Sequence, residues 1–488
     1  MGAKIIFRRT RALPTILTDS LRLPCGVVLS NRIAKSAITE GLADARGWPT
    51  ADLERLYRDW AEGGFGLMIT GNVIVDRDHL ERPGNVIIDG EPSADQMAAL
   101  RSWTAAARSG GSHLWAQLSH SGRQTQKAVN AHPKSPSAIK VDLPGGLFGQ
   151  PNAMNEAEIE AVIEKFSIAA GVCKEAGFTG VQIHAAHGYL LACFLSPNAN
   201  QRSDQWGGSL KNRARLLMAV VAGVRANVGA AFPISVKLNS ADFQKGGFSP
   251  EESEQVAWSL EEAGVDLLEV SGGSYESPAM IGLDGDGPER RRPPKAASTI
   301  AREAYFFEFA RSLRRRVKMP IMLTGGLRTR QGMQAALDEG VDVLGVARPV
   351  CVDPHAAKRL SAGEINALEC WESRIGRDKG FFGSNSPLAL IRTLNSFSRI
   401  YWFYAQLYRL GRGKPVAPGL GPLKAMLEVL STEGRILAAR KRLRAKAAKA
   451  AVGGAEQELA ITRLRMIAQT AAPQARIDRG PRERKAAP

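Results

Sequence analysis

The sequence predicts an α/β fold, a (β/α)8 TIM barrel with a C-terminal helical, basic extension, and three observations carry that expectation. Eight short apolar, β-branched runs alternate with longer stretches whose apolar residues recur at spacings of three and four. Glycine-rich punctuation follows several of the short runs, as in SGGS from Ser271 and TGG from Thr324. At 488 residues the chain exceeds the roughly 250 that such a barrel takes, which leaves length for an appendage.

The predicted strands are Arg32–Thr39, Gly66–Gly71, His113–Leu118, Val181–His184, Ile234–Asn239, Leu267–Ser271, Ile321–Gly325 and Val343–Ala347. Between them, stretches such as Glu156–Ala176 and Pro250–Ala263 have helical spacing and run into glycine, in EAGF and EAGV. After about residue 360 the alternation stops, which divides the chain into a barrel over 1–360 and an extension over 361–488. Within the extension, SFSRIYWFYAQLYRLGRGK is aromatic and amphipathic, and its arginines and glutamine make it a packed or surface helix. From Thr432 to Ala450 the composition turns to Ala, Lys and Arg, a good helix former with a thin apolar stripe, expected to be solvent-exposed or partner-binding.

Composition fits an ordinary globular enzyme: 44% hydrophobic residues, 6% aromatic, and 49 glycines for tight turns. The five cysteines, Cys25, Cys173, Cys193, Cys351 and Cys370, stand singly and lack the close spacing of a zinc or iron-sulfur site, so no metal is expected and reduced thiols in a cytoplasmic protein are. The N-terminus has no apolar run of signal-peptide length, and no stretch reaches the roughly 18 uninterrupted apolar residues of a membrane span. Charge is uneven: fourteen Lys or Arg against four Asp or Glu from Arg435 to Pro488 account for +10 of the net +17. Such a tail can contact an anionic surface or simply keep the protein in solution.

The segment from Val181 to Arg213, VQIHAAHGYLLACFLSPNANQRSDQWGGSLKNR, sets His184, His187 and Tyr189 where a buried strand gives way to a polar loop. That is where α/β barrels carry their chemistry. Two imidazoles and a phenol can bind an oxygen and deliver a proton. At the other end of the barrel sequence, MLTGGLRTRQGMQAAL offers Gly325 and Gly326 ahead of a helix, and VDVLGVARPV offers Ala347 and Arg348. Backbone amides, a helix N-terminus and a guanidinium after the last two strands make a phosphate cradle.

HAAHGYLL…FLSPNANQRSDQWGGSLKNR resembles the signature of the old yellow enzyme family, the FMN-dependent NAD(P)H:flavin oxidoreductases and ene-reductases. The resemblance implies bound FMN, with its phosphate at Gly325, Gly326, Ala347 and Arg348, and NAD(P)H as reductant. It also implies that Ser36, Ala37 and Thr39 of LSNRIAKSAITE lie against the flavin, with the Thr39 hydroxyl on its C4 carbonyl, although the family often has Pro-Met where this chain has Ala37-Ile38. Gly71 of LMITGNV, Gln117 of LWAQLSHSGRQ and Lys237 of ISVKLNSADF fall at flavin-contacting positions, Lys237 where many members carry arginine; a buried structural ion pair is the competing reading of that lysine. His184 and His187 resemble the pair that holds a substrate carbonyl, and Tyr189 the proton donor.

The activity so implied is ping-pong reduction of the C=C bond of an α,β-unsaturated carbonyl, an enone-like small molecule. Substrate choice is expected in loops such as Gly145–Asn155, Gly272–Pro294 and the segment around Phe381. Two other readings stand beside it: a dienoyl-CoA reductase or amine dehydrogenase type of relative with an iron-sulfur cluster, and a membrane- or nucleic-acid-associating protein acting through its basic tail. No nucleic-acid or membrane partner is called for beyond that tail, and a homo-oligomer is left open.

Overall fold

The computed structural model describes residues 16–141, 143, 146–272, 307–375, 386 and 388–470. Residue 145, residues 273–294 and the segment around Phe381, parts of the loops expected to shape substrate choice, lie outside the described residues, as does the end of the basic tail from residue 471. The barrel is closed. Its strands are β1 (Ile33–Lys35), β2 (Leu67–Ile74), β3 (His113–Ser119), β4 (Gly180–Ala185), β5 (Ile234–Asn239), β6 (Leu267–Ser271), β7 (Ile321–Thr324) and β8 (Val343–Val346). Each pairs in parallel with the next, and β8 pairs with β1.

Two strands depart from the expected bounds by more than one residue at an end. β1 stops at Lys35, because residues 36–39 leave the ladder after the Ser36 amide donates to Val346 O at 2.9 Å. β2 runs past Gly71 to Ile74, with its register against β3 shifting between Ile69 and Asn72. Glycine inside a strand marks such a bulge as readily as an end. Here an added Cβ on Gly71 would overlap the Glu40 carboxylate and come within 2.6 Å of Ile38 O, so only glycine lets the chain leaving β1 pass this close.

The helices α1 (Ala51–Ala61), α2 (Ala94–Arg108), α3 (Glu156–Glu175), α4 (Leu210–Val228), α5 (Pro250–Glu262) and α6 (Arg330–Asp338) each begin at a Ser, Thr or Asn whose side chain accepts a first-turn amide. Asn155 with Glu158 and Ser249 with Glu252 form full capping boxes. The EAGF and EAGV glycines, Gly177 (φ 93°) and Gly264 (φ 78°), adopt the left-handed conformation that turns each helix back into its strand.

Two further helices follow the barrel, α7 (Ala389–Gly411) and α8 (Pro422–Thr470). One compact unit extends from Met1 to Leu437 and so takes in α7 and the start of α8, while Ala438–Pro488 forms a second. α7 buries Trp402, Phe403, Leu407 and Tyr408, and its Gly411 carbonyl accepts from Arg55 of α1 at 2.9 Å. Arg82, in the loop after β2, bonds Glu433 of α8 at 2.6 Å, both side chains being about 95% covered, and stacks 3.6 Å from the Tyr404 ring centre. No described helix is long and apolar enough to cross a membrane.

Gly345 of β8 marks the tightest point of the barrel interior. A Cβ there would overlap Thr324 Oγ1 and Ser36 Oγ, which hydrogen-bond each other at 2.8 Å across the closure, and would lie 2.9 Å from Met322 Cε. Gly345→Ala is expected to destabilise the barrel by about 1–3 kcal/mol, the usual range for overpacking. Thermal unfolding would show a lowered Tm; a Tm equal to that of the parent would mean that the closure absorbs a methyl group.

Candidate active site

β4 delivers the three expected residues to the C-terminal mouth of the barrel. The strand ends at Ala185, and His187 (φ 62°) and Gly188 (φ 77°) then take left-handed conformations in succession. For a histidine this conformation costs of order 1 kcal/mol. It is held by Asn239 Oδ1, which accepts the His187 amide at 3.1 Å, and by Ser271 Oγ, 2.6 Å from His187 Nε2. Asn239 and Ser271 are the last residues of β5 and β6, so three consecutive strand ends fix one side chain. The turn places Tyr189 at the start of a short helix, Leu190–Leu195. The His184 ring lies 5.1 Å from that of His187 and 4.8 Å from that of Tyr189, both edge to face.

Both imidazoles are neutral near pH 7: burial, reinforced by the neighbouring Lys237 cation, holds each well below the usual 6.5. His184 Nδ1 accepts the Ala186 amide at 3.2 Å, which puts the ring proton on Nε2. His184 is thus a single-proton donor of fixed direction.

The trio opens on a cavity of about 230 Å³. Ala37, Ile38 and Thr39 line it from the chain leaving β1, Gln117 from β3, Lys237 from β5, and Ala347, Arg348 and Cys351 from the turn after β8. Asn72 and Glu81 also line it, together with Ile400, Phe403 and Tyr404 of α7. Of the expected flavin contacts, Ser36 and Gly71 stand behind the lining, Ser36 tied to Thr324 and Gly71 passing its amide to Glu40 Oε1 at 2.8 Å. The Thr39 hydroxyl donates to Glu81 Oε2 at 2.6 Å. Its one proton is thereby used, and toward another group it can only accept. Burial pushes the Cys351 thiol up to about 12, so it is no nucleophile near neutral pH.

Beneath the cavity a polar chain crosses the barrel interior. Lys237 and Glu269, paired in register on β5 and β6, form an ion pair at 2.9 Å with 5% and 0% of their side chains exposed. The buried ion pair that competed as a reading of Lys237 is thus present, and the same lysine lines the cavity. Glu269 Oε2 accepts from Gln182 Nε2 at 2.7 Å, and Gln182 Oε1 accepts from Gln117 Nε2 at 2.6 Å. A carboxylate only accepts, so it sets Gln182, which sets Gln117, whose Oε1 end is left for the cavity.

Of the residues expected at a phosphate end, Ala347 and Arg348 line the cavity and Gly325 and Gly326 do not. Gly325 (φ 136°) and Gly326 (φ 71°) adopt conformations that favour glycine, ahead of α6, and Ala347 and Arg348 follow β8. Glu372 draws Arg348 to 3.0 Å and also Arg328 to 2.9 Å, a second guanidinium that no sequence signal singled out. Although burial opposes it, these two cations hold the Glu372 carboxyl below its ordinary range.

The donor set fits FMN. Asn72 gives an N–H to Glu81 at 2.5 Å, yet its buried Oδ1 has no hydrogen-bond partner, an exception where about 90% or more of buried polar atoms have one. Lys237 makes no aligned hydrogen bond to Glu269 Oε1 despite its proximity. Two acceptors, Asn72 Oδ1 and Gln117 Oε1, and one donor, Lys237 Nζ, match an isoalloxazine edge that carries both N–H and C=O groups.

A second cluster, Asp76, His79 and His120, has the residue types of a metal site. The amides of Lys134 and Gly122 donate to His79 Nε2 and His120 Nδ1, at 2.9 and 3.1 Å. The ring protons therefore sit on the nitrogens that face Asp76, where a metal would need lone pairs. Lys165 takes the same carboxylate at 2.6 Å, and the cluster is a structural anchor. Among the described residues no three cysteines come together.

The sequence pattern of the "NADH:flavin oxidoreductase / NADH oxidase family" matches residues 25–366. The chain is 37% identical over 356 residues to "NADH-dependent flavin oxidoreductase iliE" of Neonectria sp. (strain DH2), spanning 69% of this chain and 46% of that one. It is 37% identical over 364 residues to "NADH-dependent flavin oxidoreductase iccE" of Talaromyces variabilis, with 70% and 86% covered. The solved old yellow enzyme homologue from Zymomonas mobilis superposes with a TM-score of 0.60 at 26% identity, over 73% of this chain and 96% of that one. On the strength of this match, and of a barrel mouth whose polar groups suit a flavin, the chain belongs to the NADH:flavin oxidoreductase / NADH oxidase family, the old yellow enzyme family of FMN-dependent enzymes.

Proposed function

We propose that this chain uses NAD(P)H to reduce the C=C bond of an α,β-unsaturated carbonyl, reductant and acceptor taking turns at one cavity. The observation that carries the reading is the convergence of His184, His187 and Tyr189 on the cavity that Gln117 and Lys237 also line. FMN, held through Asn72, Gln117, Lys237 and the glycine and arginine end, would supply the hydride exchange. NADH is the reductant in the names of the two fungal relatives.

His184 offers one N–H from Nε2 in a direction fixed by its backbone bond, and His187 is steadied by Asn239 and Ser271. Donors aimed at a carbonyl oxygen stabilise the enolate charge that develops there when hydride reaches the β carbon. Tyr189 Oη delivers the proton to the α carbon, a role suited to a phenol that is neutral near pH 7. Neutral imidazoles serve better than charged ones here, because an imidazolium beside Lys237 would carry a Coulombic penalty before substrate arrives.

Tyr189→Phe is expected to slow enone reduction by about 10²–10⁴-fold, the usual worth of a general acid, while NADH still reduces the bound flavin. Stopped-flow absorbance separates the two half-reactions; undiminished enone turnover would remove Tyr189 from the proton-donor role.

The histidine pair also sets an acid limit on stability. Its folded pKa values lie below the unfolded 6.5, so the unfolded chain takes up protons first as pH falls. The contribution is complete above about pH 6.5 and is lost between there and the depressed folded values. Tm should therefore drop on acidification from pH 7 to 5, and drop less in His184→Asn/His187→Asn; equal slopes for the two proteins would contradict this.

A further inference from the structure

The cavity has two kinds of wall. The barrel contributes the polar groups, among them His184, His187, Gln117 and Lys237, whereas α7 contributes only Ile400, Phe403 and Tyr404. These three lie beyond residue 366, where the family match ends, so this wall belongs to the part of the chain that the family pattern does not describe. It is also built to stay in place. Phe403 is 5% exposed, with its ring 5.2 Å from Trp402 at 89°. The Arg82 guanidinium lies 3.6 Å from the centre of the Tyr404 ring and is bonded to Glu433 at 2.6 Å. Side chains held this way present a fixed surface, and fixed apolar surface selects ligands by shape and by what they bury.

We propose that Phe403 and Tyr404 of α7, with Ile400, are specificity-determining residues that select acceptors carrying a flat, apolar, aryl-sized group on the conjugated carbonyl. This rests on the enone-reduction reading. The polar end of such an acceptor is met by the two histidines, and its apolar body is met by a wall without charge. A small enone leaves that wall unburied and gains nothing from it.

The test uses the full-length, flavin-loaded chain and two acceptors that differ only in a phenyl group, 4-phenylbut-3-en-2-one and but-3-en-2-one, with rates normalised to bound flavin. In Phe403→Ala and Tyr404→Ala the ratio of kcat/KM for the aryl over the small enone is expected to fall about tenfold, the factor given by roughly 1.4 kcal/mol of lost contact. Calorimetric affinity for the saturated ketone 4-phenylbutan-2-one should fall in parallel. Phe403→Leu keeps much of the volume without the ring and serves if the alanine variant unfolds. A ratio unchanged in the variants, including one in which both acceptors lose equally, overturns the assignment. If the parent oxidises NADH yet reduces neither enone, it is the reaction that is wrong, and the calorimetric arm still decides the wall: weaker binding in the variants upholds it, and equal binding refutes it.

Discussion

The buried Lys237–Glu269 pair is the constraint from which the site's order follows. Removing two such ions from water costs several kcal/mol each, and their attraction offsets this only when the remaining lone pairs are also satisfied. Gln182 supplies a donor for Glu269 Oε2, at 2.7 Å, while Oε1 has only the Lys237 charge beside it. The consequence spreads sideways, because a carboxylate that can only accept dictates how two successive amides face. An apolar interior at this level would be as stable or more so, but it would leave Gln117 free to flip and would remove the cation from the cavity. The polar core makes Lys237 at once a structural ion and a group that lines the cavity.

A second constraint is the left-handed step at His187. Its cost is small, of order 1 kcal/mol, but it persists only because the ends of β5 and β6 hold both the amide and the ring. Chemistry of the kind proposed tolerates little misplacement, and a side chain anchored by two neighbouring strands is positioned better than one on a free loop. The barrel architecture and the orientation of the imidazoles are therefore one problem, solved at the strand ends.

How far this could be read from sequence depends on the distance over which each signal acts. The eight strands were legible because apolar runs and terminal glycines are local patterns, and the histidines and Tyr189 because they share one motif at a strand end. β2 was read short since glycine marks both a bulge and a stop, and only the neighbouring strand distinguishes them. Asn72 and Glu81 gave no signal: an Asn next to a bulge and a Glu in a loop are ordinary until Thr39 is seen donating to that Glu. Phe403 and Tyr404 lie more than 200 positions from His184 and reach its cavity through tertiary packing alone. Their aromatic, amphipathic pattern announced a packed helix without naming the surface it packs on.

That packing explains why α7 is a wall rather than a loose appendage. Fully burying a large apolar side chain is worth about 1.5–3 kcal/mol. Trp402, Phe403, Leu407 and Tyr408 are all buried, so the helix is held by several such increments, and Trp402 Nε1 still finds Leu420 O at 2.8 Å. The Arg82–Glu433 pair then adds an asymmetry. It contributes little net stability when intact, but losing one partner strands a buried charge at a cost of about 3–5 kcal/mol. Small displacements of α7 or of the start of α8 are therefore opposed steeply, and Ile400, Phe403 and Tyr404 keep their place in the cavity lining.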